Sequence, residues 1–467
     1  MGLFGVMYIG YSGVLTTSMG MNVSADNISN LNTTGFKGGR YEFANALVEA
    51  YGETFRKEKG LGSNVKAIRT LFNQGAIVTT DSPTDLAISG KGFFVVSDQK
   101  GNIFYTRDGQ FFVNQVDEQH LALQNSMGLY LLGSDPDATS ADLTNLKPYL
   151  IPKVMPPKST SNIDLQLIFD STKPVEPIDD PLWQSYDATS SDIIENQKFD
   201  YVFDLYGYDA FGNKTNFKLY VDRTSNLNEY ELLFALEDPT LDGRGSGKYQ
   251  GAFLYGRLYF GGNGDIVGAN FWEITNPSSF DPTVDPPMDL TALGRPQFQV
   301  NIGGATHSIT LNLGFRVEPD GSITRFVNSS KLQANPFAQL YFNQDGYPMG
   351  VFDKIEVITE EGKVVAWYTN NKNIEVSKIF LADFSGYEEN LIKVGNGLFM
   401  AREGAQPFIF SPGVFERGRL LSGALENSNV DLASEMVSLI TLQRAFQSNT
   451  RVITTADQML EDFLSKR

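Results

Sequence analysis

The chain has 467 residues, of which 41% are hydrophobic and 12% aromatic, and a formal net charge of −18. This length exceeds what one hydrophobic core usually serves, so about two to four domains are expected, and the hydrophobic content excludes wholesale disorder. The negative charge argues against nucleic acid and anionic membrane surfaces as partners, because both attract Lys and Arg. No cysteine and only two histidines, His120 and His307, are present. Disulfides and thiolate metal sites are therefore excluded, and zinc chemistry and a Ser-His-Asp triad lack parts.

The first predicted element is a helix from about Leu3 to Leu31. Its side chains at alternating steps of four and three form the seam typical of a coiled coil: Met7, Tyr11, Val14, Ser18, Met21, Ala25 and Ile28. Gly10, Gly13 and Gly20 each weaken the helix by about 1 kcal/mol relative to alanine. These glycines indicate close approach of another helix, and the alternative is a helix of ordinary, mediocre stability.

The segment after this helix contains signals for a helix end. Asn27, Asn30 and Asn32 precede Thr33-Thr34-Gly35. Asn and Gly tolerate positive φ, and short polar side chains bond freed backbone groups, so this run predicts the exit from the helix. An extended stretch then runs from about Phe36 to Gln74. A cleaved secretory signal is not expected, because Asp26 is the only charged side chain before Lys37 and no apolar run is long enough to span a bilayer.

The middle of the chain, from Gly75 to about Met349, has the pattern of β-structure. Apolar runs flank residues 97–102, which predicts a hairpin. The pattern Leu-Tyr-Phe followed by Asn-Gly or Asp-Gly occurs at residues 258–268 and again at 340–350. Asn-Gly and Asp-Gly favour type I′ turns, so the repeat predicts two similar hairpins at sheet corners. Prolines from Pro148 to Pro157 indicate a domain boundary.

A second long helix closes the chain. Its predicted seam again alternates steps of three and four: Leu439, Leu442, Phe446, Asn449, Ile453, Ala456, Leu460 and Phe463. The expected fold is mixed and mainly β, with the N- and C-terminal helices paired as an α-helical coiled coil and two or more discontinuous β-sandwich or barrel-like domains. The expected division is a helical domain (1–32 and 431–467), a segment beside the helices (33–75 and 418–430) and two β-domains, one of residues 76–155 and 336–417 and one of residues 156–335. The alternative for the helices is amphipathic packing on an ordinary core.

Two long motifs at opposite ends resemble those of the bacterial flagellar axial proteins, the family of rod and hook subunits. One runs from Met21 to Lys37 and the other from Leu425 to Val437, continuing through residues 443–449 and 455–460. The residues that carry this resemblance are Asn27, Asn30, Asn32, Thr34, Gly35, Phe36, Lys37, Asn429 and Asp431. The match covers roughly residues 1–110 and 365–467, while the middle resembles the family only in scattered stretches.

The resemblance implies a structural subunit of the hook, a curved tubular joint that transmits torque from rod to filament. It implies a helical homopolymer with an inner layer of terminal helices, and export by the flagellar type III apparatus without cleavage of the N-terminus. In such a subunit, residues 33–75 and 418–430 would be a connector, residues 76–155 and 336–417 the inner β-domain, and residues 156–335 the outer β-domain. The implied partners are other copies of the chain, the distal rod protein, the hook-filament junction protein, the hook cap protein and the export apparatus. No catalytic residue, cofactor or metal site is expected, and neither nucleic-acid binding nor membrane insertion is expected.

Three alternatives stay open at this point. A distal rod protein shares both terminal motifs, although the block from about Pro156 to Asn335 favours a hook. A secreted β-rich glycosidase needs only two carboxylates, but the sequence offers no way to choose a pair. An extracellular binding module is the third alternative, and neither it nor the glycosidase accounts for paired terminal helices.

Overall fold

A computed structural model describes residues 3–50, 57–175, 181–302, 304–414 and 417–465 of the chain. Contacts divide the chain into two units: unit 1 comprises residues 1–153 and 352–467, and unit 2 comprises residues 154–351. The chain therefore leaves unit 1 once and returns to it once. Residues 51–56 of the predicted connector, 176–180 and 303 of the predicted outer β-domain, 415–416 of the inner β-domain, and both chain ends (1–2 and 466–467) lie outside the described residues.

The first part of unit 1 is a long helix followed by strands and a 3₁₀ turn at Leu143–Asn145. Its elements are α1 (Leu3–Ser29), β1 (Gly39–Ala50), β2 (Lys57–Thr70), β3 (Ile77–Thr79), β4 (Leu86–Ser89), β5 (Phe93–Ser97), β6 (Ile103–Thr106), β7 (Phe112–Gln115), β8 (His120–Gln124), β9 (Tyr130–Ser134), β10 (Lys147–Pro148) and β11 (Ile151–Pro152).

Unit 2 consists mostly of strands, with a 3₁₀ turn at Pro239–Leu241. Its elements are β12 (Val154–Met155), β13 (Asn162–Asp170), α2 (Leu182–Ser185), β14 (Tyr201–Tyr208), β15 (Lys214–Arg223), β16 (Glu229–Leu236), β17 (Ala252–Phe260), β18 (Ile266–Glu273), α3 (Leu290–Leu293), β19 (Gln297–Ile302), β20 (Ala305–Asn312), β21 (Phe315–Val317), β22 (Ile323–Arg325), β23 (Lys331–Gln333) and β24 (Ala338–Gln344).

The returning part of the chain adds short strands and the second long helix. Its elements are β25 (Gly350–Ile358), β26 (Lys363–Tyr368), β27 (Asn373–Ile379), β28 (Leu381–Asp383), α4 (Tyr387–Asn390), β29 (Leu391–Gly395), β30 (Leu398–Ala401), β31 (Phe408–Phe410), β32 (Arg419–Ser422), β33 (Ala424–Glu426) and α5 (Leu432–Ser465).

The sheets of unit 1 mix strands from both ends of the chain. The largest sheet runs β25-β26-β27-β9-β5-β6-β30-β29. Two short antiparallel pairs, β3 with β33 and β4 with β32, join the residues after α1 to those before α5. A core with Phe93, Tyr105, Phe384 and Phe399 lies beneath the sheet, and its rings contact one another edge to face. The N-terminal and C-terminal parts of unit 1 therefore fold as one body.

Unit 2 contains two five-stranded sheets on one core. One sheet is the antiparallel meander β14-β15-β16-β17-β18, and the other contains β19, β20, β13, β23 and β24. Successive side chains of a strand point to opposite faces of its sheet, and those between the two sheets form a single cluster that includes Leu219, Phe234, Phe298 and Ile309. The second face of the meander is covered by α2 and its neighbours, around Tyr255 and Phe280.

The structure confirms the mainly β fold with long helices at both ends, and also the hairpin at residues 97–102, where β5 pairs with β6. Residues 336–351, which the prediction placed in the inner β-domain, lie instead in unit 2, because β24 pairs with β13 and Phe337 packs in that core. The rest of the predicted four-part division stays a prediction. In the described part of the chain, no helix combines the length and apolar character needed to cross a membrane.

The repeated Leu-Tyr-Phe motif was predicted to form two similar hairpins, and the structure contains one. Strands β17 and β18 pair around Asn263-Gly264, where only the glycine has positive φ, so the turn is not type I′. At the second copy β24 pairs with β13 rather than with β25. There the Asp345 carboxylate accepts hydrogen bonds from the backbone of Ser161 and Asn162, both at 2.8 Å. The prediction was wrong here because β24 pairs with β13 and β25 pairs with β26, so the two strands that flank Asp345-Gly346 belong to different ladders.

Candidate assembly surfaces

The two terminal helices run antiparallel and pack closely. Gly10 lies opposite Ile453, and Gly20 lies opposite Leu442. A Cβ at Gly10 would lie 2.8 Å from Ile453 Cγ1, and one at Gly13 would lie 2.5 Å from Asn449 Nδ2. Both distances are below van der Waals contact, so only glycine permits this separation of the helices. The close approach predicted from these glycines is confirmed.

The face of α1 that lies against α5 consists of small residues. Its buried positions are Gly10, Gly13, Thr16, Thr17, Gly20, Ser24 and Asn27. Thr16 and Thr17 donate their hydroxyl protons to backbone carbonyls one turn earlier, which satisfies these groups inside the contact. The larger side chains of α5 therefore fill the space that α1 leaves open.

The predicted seam residues are distributed over three levels of exposure. Leu442 and Ala456 are buried, while Tyr11, Ala25 and Phe463 are exposed. The others are half-buried: Met7, Val14, Ser18, Met21, Ile28, Leu439, Phe446, Asn449, Ile453 and Leu460. On α1 the small-residue face that meets α5 is displaced around the helix from the predicted heptad. A role of this heptad in contacts between subunits stays a prediction.

Large apolar side chains cover the outer faces of both helices. Phe4 is 76% exposed, Tyr8 58% and Phe463 72%. A groove of 350 Å³ lies between the start of α1 and the end of α5, lined by Leu3, Val6, Ser448, Arg451, Val452, Thr455, Ala456 and Met459. Exposed apolar surface of this extent is typical of a site of protein-protein association.

The first motif residue, Asn27, connects three segments of unit 1. Its amide donates to Gly39 O at 2.8 Å and to Glu435 Oε1 at 2.9 Å, while its Oδ1 accepts from Gly39 N at 2.8 Å. The side chain is buried. A buried amide with all these bonds fixes the end of α1 to β1 and to the first turns of α5.

The next motif residues form the turn that follows α1. Asn30 donates to Asp26 O and accepts from Thr33 Oγ1, while Asn32 is exposed and Thr34 half-buried. Gly35 has φ +65, and a Cβ there would lie 2.5 Å from the carbonyl carbon of Arg107. Phe36 is buried, and Lys393 Nζ lies 4.2 Å from its ring centroid. Gly35 is therefore required twice, by its backbone conformation and by the close approach of another segment.

A buried ion cluster follows at Lys37. Its Nζ lies 2.6 Å from Glu426 Oε1, and Arg107 Nη1 lies 3.0 Å from Glu426 Oε2. Gly75 N also donates to Glu426 Oε1. Burial lowers the pKa of Lys37, and the Glu426 carboxylate opposes that shift. Removing Glu426 would leave two buried cations without their counter-charge, which is costly in a low-dielectric interior.

The two C-terminal motif residues connect this cluster to α5. Asn429 donates its amide to Leu71 O and Asn73 O and accepts from Gly38 N. Asp431 accepts from Ser434 N at 2.8 Å, as an N-cap does, and this bond lowers its pKa. The motifs from opposite ends of the chain therefore meet at one junction.

Sequence reasoning assigned no role to Arg107 and Glu426, although Glu426 lies inside the C-terminal motif and Arg107 inside the stretch of residues 1–110 that resembles the axial proteins. The opposite charges of these residues and Lys37 are the only available signal, and spacing alone does not pair them. Among the described residues, no group of His, Asp or Glu side chains is arranged to hold a metal ion.

Comparison with known families finds matches along most of the chain. Residues 7–37 match the family described as flagella basal body rod protein, and residues 421–466 match the C-terminal part of the flagellar basal body rod FlgEFG protein. Residues 87–165 match the flagellar hook protein FlgE/F/G D1 domain. Residues 178–347 match the flagellar basal body protein FlaE D2 domain.

Individual relatives cover nearly the full chain. The flagellar hook protein FlgE of Borreliella burgdorferi is 31% identical over 483 residues, which covers 98% of each chain. The hook proteins of Treponema pallidum and Salmonella typhimurium are 27% and 29% identical, again covering 98% of each chain. The crystal structure of Helicobacter pylori flagellar hook protein FlgE2 is 12% identical and has a TM-score of 0.40, covering 73% of this chain and 98% of that one. With identity above 30% over almost its whole length to a curated relative, this chain belongs to the flagellar hook protein FlgE family.

Proposed function

We propose that this chain is the structural subunit of a bacterial flagellar hook and assembles with its own copies into a curved tube that transmits torque. The observation that carries this proposal is the exposed apolar surface on both terminal helices, with Phe4, Tyr8 and Phe463 each more than half exposed. No charged side chain occurs in α1 before Asp26. A helix that is apolar on its outer face needs a partner to cover it.

The terminal helices form the inner layer of the tube as a coiled-coil-like pair. Within one copy the small-residue face of α1 lies against α5, so the larger side chains of the predicted seam on α1 are left for neighbouring copies. Burial of each such side chain contributes about 1.5–3 kcal/mol. A contact between two different faces of successive copies does not close on itself and generates a helical polymer.

Unit 2 favours a hook over a distal rod. The rod alternative shares the terminal motifs, but residues 178–347 match a D2 domain and fold with their own core. The partners that follow from a hook subunit are the distal rod protein, the hook-filament junction protein, the hook cap protein and the export apparatus. The expected location is the flagellum outside the cell, and the expected role is mechanical rather than catalytic.

The experiment that tests this proposal is deletion of the gene in its host, followed by electron microscopy of extracted basal bodies. Basal bodies with a finished rod and no hook are the expected result, and re-expression of the gene restores the hook. A truncated rod would instead favour the distal rod protein. Intact, working flagella would refute both assignments.

A further inference from the structure

Unit 2 contains a pocket lined by an arginine whose side chain has no hydrogen-bond or ion-pair partner among the described residues. The pocket has a volume of 470 Å³ and is lined by Asp164, Leu165, Arg295, Asn312, Gly314, Phe326, Val327, Asn328 and Tyr341. Nε of Arg295 is buried without a hydrogen bond, and Arg295 forms no hydrogen bond or ion pair with any described residue. Its guanidinium lies 5.3 Å from the Phe326 ring centroid. An arginine on an aromatic ring with its donors free is suited to a carboxylate.

The rim of this pocket is apolar and exposed. Val327 is 98% exposed, and the Phe326 and Tyr341 side chains are close to half exposed. The one acidic side chain in the lining, Asp164, accepts a hydrogen bond from Asn312 at 2.8 Å rather than one from Arg295. A second cation, Arg316, lies against Gly294, the residue before Arg295. This patch is therefore locally basic on a chain of net charge −18.

A complementary surface lies elsewhere on unit 2. The loop Asp281-Pro282-Thr283-Val284-Asp285 has an apolar tip, since Val284 is 78% exposed, and an aspartate on either side of it. Internal hydrogen bonds hold its shape: Asp281 Oδ1 accepts from Thr283 N at 2.9 Å, and Asp285 Oδ2 accepts from Asp281 N at 3.0 Å. Each carboxylate therefore keeps one oxygen for another donor. A loop with a fixed shape loses little entropy on binding.

We propose that the Arg295 pocket binds the Asp281–Asp285 loop of a second copy of this chain, with Val284 against the apolar rim and an aspartate on the guanidinium. None of the loop residues lines the pocket of its own copy. The two surfaces differ, so the contact is heterologous and propagates from copy to copy. This inference rests on the proposed polymer and specifies a contact between its outer units.

The absence of native cysteine permits a direct test by cross-linking. Hooks are isolated from cells that express Val284→Cys with Val327→Cys and are oxidised with a copper-phenanthroline catalyst. A ladder of disulfide-linked multimers on a non-reducing gel is the expected result. The control pair is Val327→Cys with Leu227→Cys, because Leu227 is also highly exposed, at 76%, on a different loop. An equally strong ladder from the control pair would overturn the proposal.

Charge reversal provides a second, independent measurement. In the Val284→Cys and Val327→Cys background, Arg295→Glu should remove the ladder, and Arg295→Glu combined with Asp285→Arg should restore it. A ladder that persists in the Arg295→Glu variant overturns the proposal. Normal hook assembly of the Val284→Cys and Val327→Cys chain without any ladder also overturns it, but leaves the hook assignment intact. If no hooks form from the cysteine-free parent chain, the hook assignment fails and this inference fails with it.

Discussion

Lys37 Nζ and Glu426 Oε1 lie 2.6 Å apart, and neither side chain has any exposed surface. The two residues are 389 positions apart in the sequence. Lys37 ends the N-terminal motif and Glu426 ends β33, just before the last helix. Their ion pair therefore forms only after both ends of the chain have folded together, and it ties the two motifs to Arg107 in the same unit.

Glu426→Gln should destabilise unit 1 by about 3–5 kcal/mol, because the neutral amide leaves Lys37 and Arg107 buried without a counter-charge. The measurement is the free energy of unfolding of the purified chain in guanidinium chloride. Glu403→Gln is the matched control, since Glu403 is exposed, and we expect it to change stability by less than about 0.5 kcal/mol. Equal stability of the two variants would contradict the role given to Glu426.

Gly10→Ala should weaken the contact between α1 and α5 even though alanine is the better helix former. The new methyl would lie 2.8 Å from Ile453 Cγ1 and 3.3 Å from Asn449 O, and overpacking of this kind costs about 1–3 kcal/mol. The temperature at which isolated hooks dissociate should therefore fall. Gly5→Ala provides the control in the same helix, because nothing lies within 4 Å of its new Cβ. A lower dissociation temperature for Gly5→Ala as well would indicate that the close approach is not the cause.

Asp345→Asn should destabilise unit 2 in a pH-dependent way. Burial opposes ionisation of Asp345, but hydrogen bonds from Lys158, Ser161 and Asn162 outweigh it and hold the pKa below the ordinary 3.8. A carboxyl group with a depressed pKa stabilises the fold above its unfolded pKa, and this stabilisation is lost as the pH falls below 3.8 towards the folded value.

Denaturation curves of the wild-type chain and Asp345→Asn at several pH values check this prediction. The two should differ by about 2 kcal/mol at pH near 7, as expected for hydrogen bonds to a charged group, and the difference should shrink below pH 3.8. A difference that stays constant down to strongly acidic pH would contradict it. Asp320→Asn is a useful control, because Asp320 also has a depressed pKa but is exposed in a surface turn.

The sequence predicted the elements whose signals are local. Glycines at 10, 13 and 20 indicated close helix contact, and Asn27 to Gly35 marked the helix end. It did not predict that Lys37, Arg107 and Glu426 form one cluster, because ion pairs between distant segments depend on the fold and not on spacing. The hairpin expected at Asp345-Gly346 was wrong for a related reason, since β24 pairs with β13, a strand that is distant in the sequence. Free surfaces such as the Arg295 pocket carry no periodic signal at all.

Phe446→Asp should abolish hook assembly. Phe446 is half-buried on α5 within the predicted seam, and contact with a neighbouring copy would desolvate a new carboxylate there without providing a partner. Gln447→Asp adds the same charge one position along the helix, at an exposed residue, and we expect it to leave assembly intact. Counting hooks by electron microscopy on cells that express each variant at equal levels separates the two outcomes. Full-length hooks built from Phe446→Asp would mean that no neighbouring copy covers Phe446, although the same side of α5 meets α1 at Leu442 and Ile453, and contacts between copies would then have to form through the Phe4 and Tyr8 face of α1 instead.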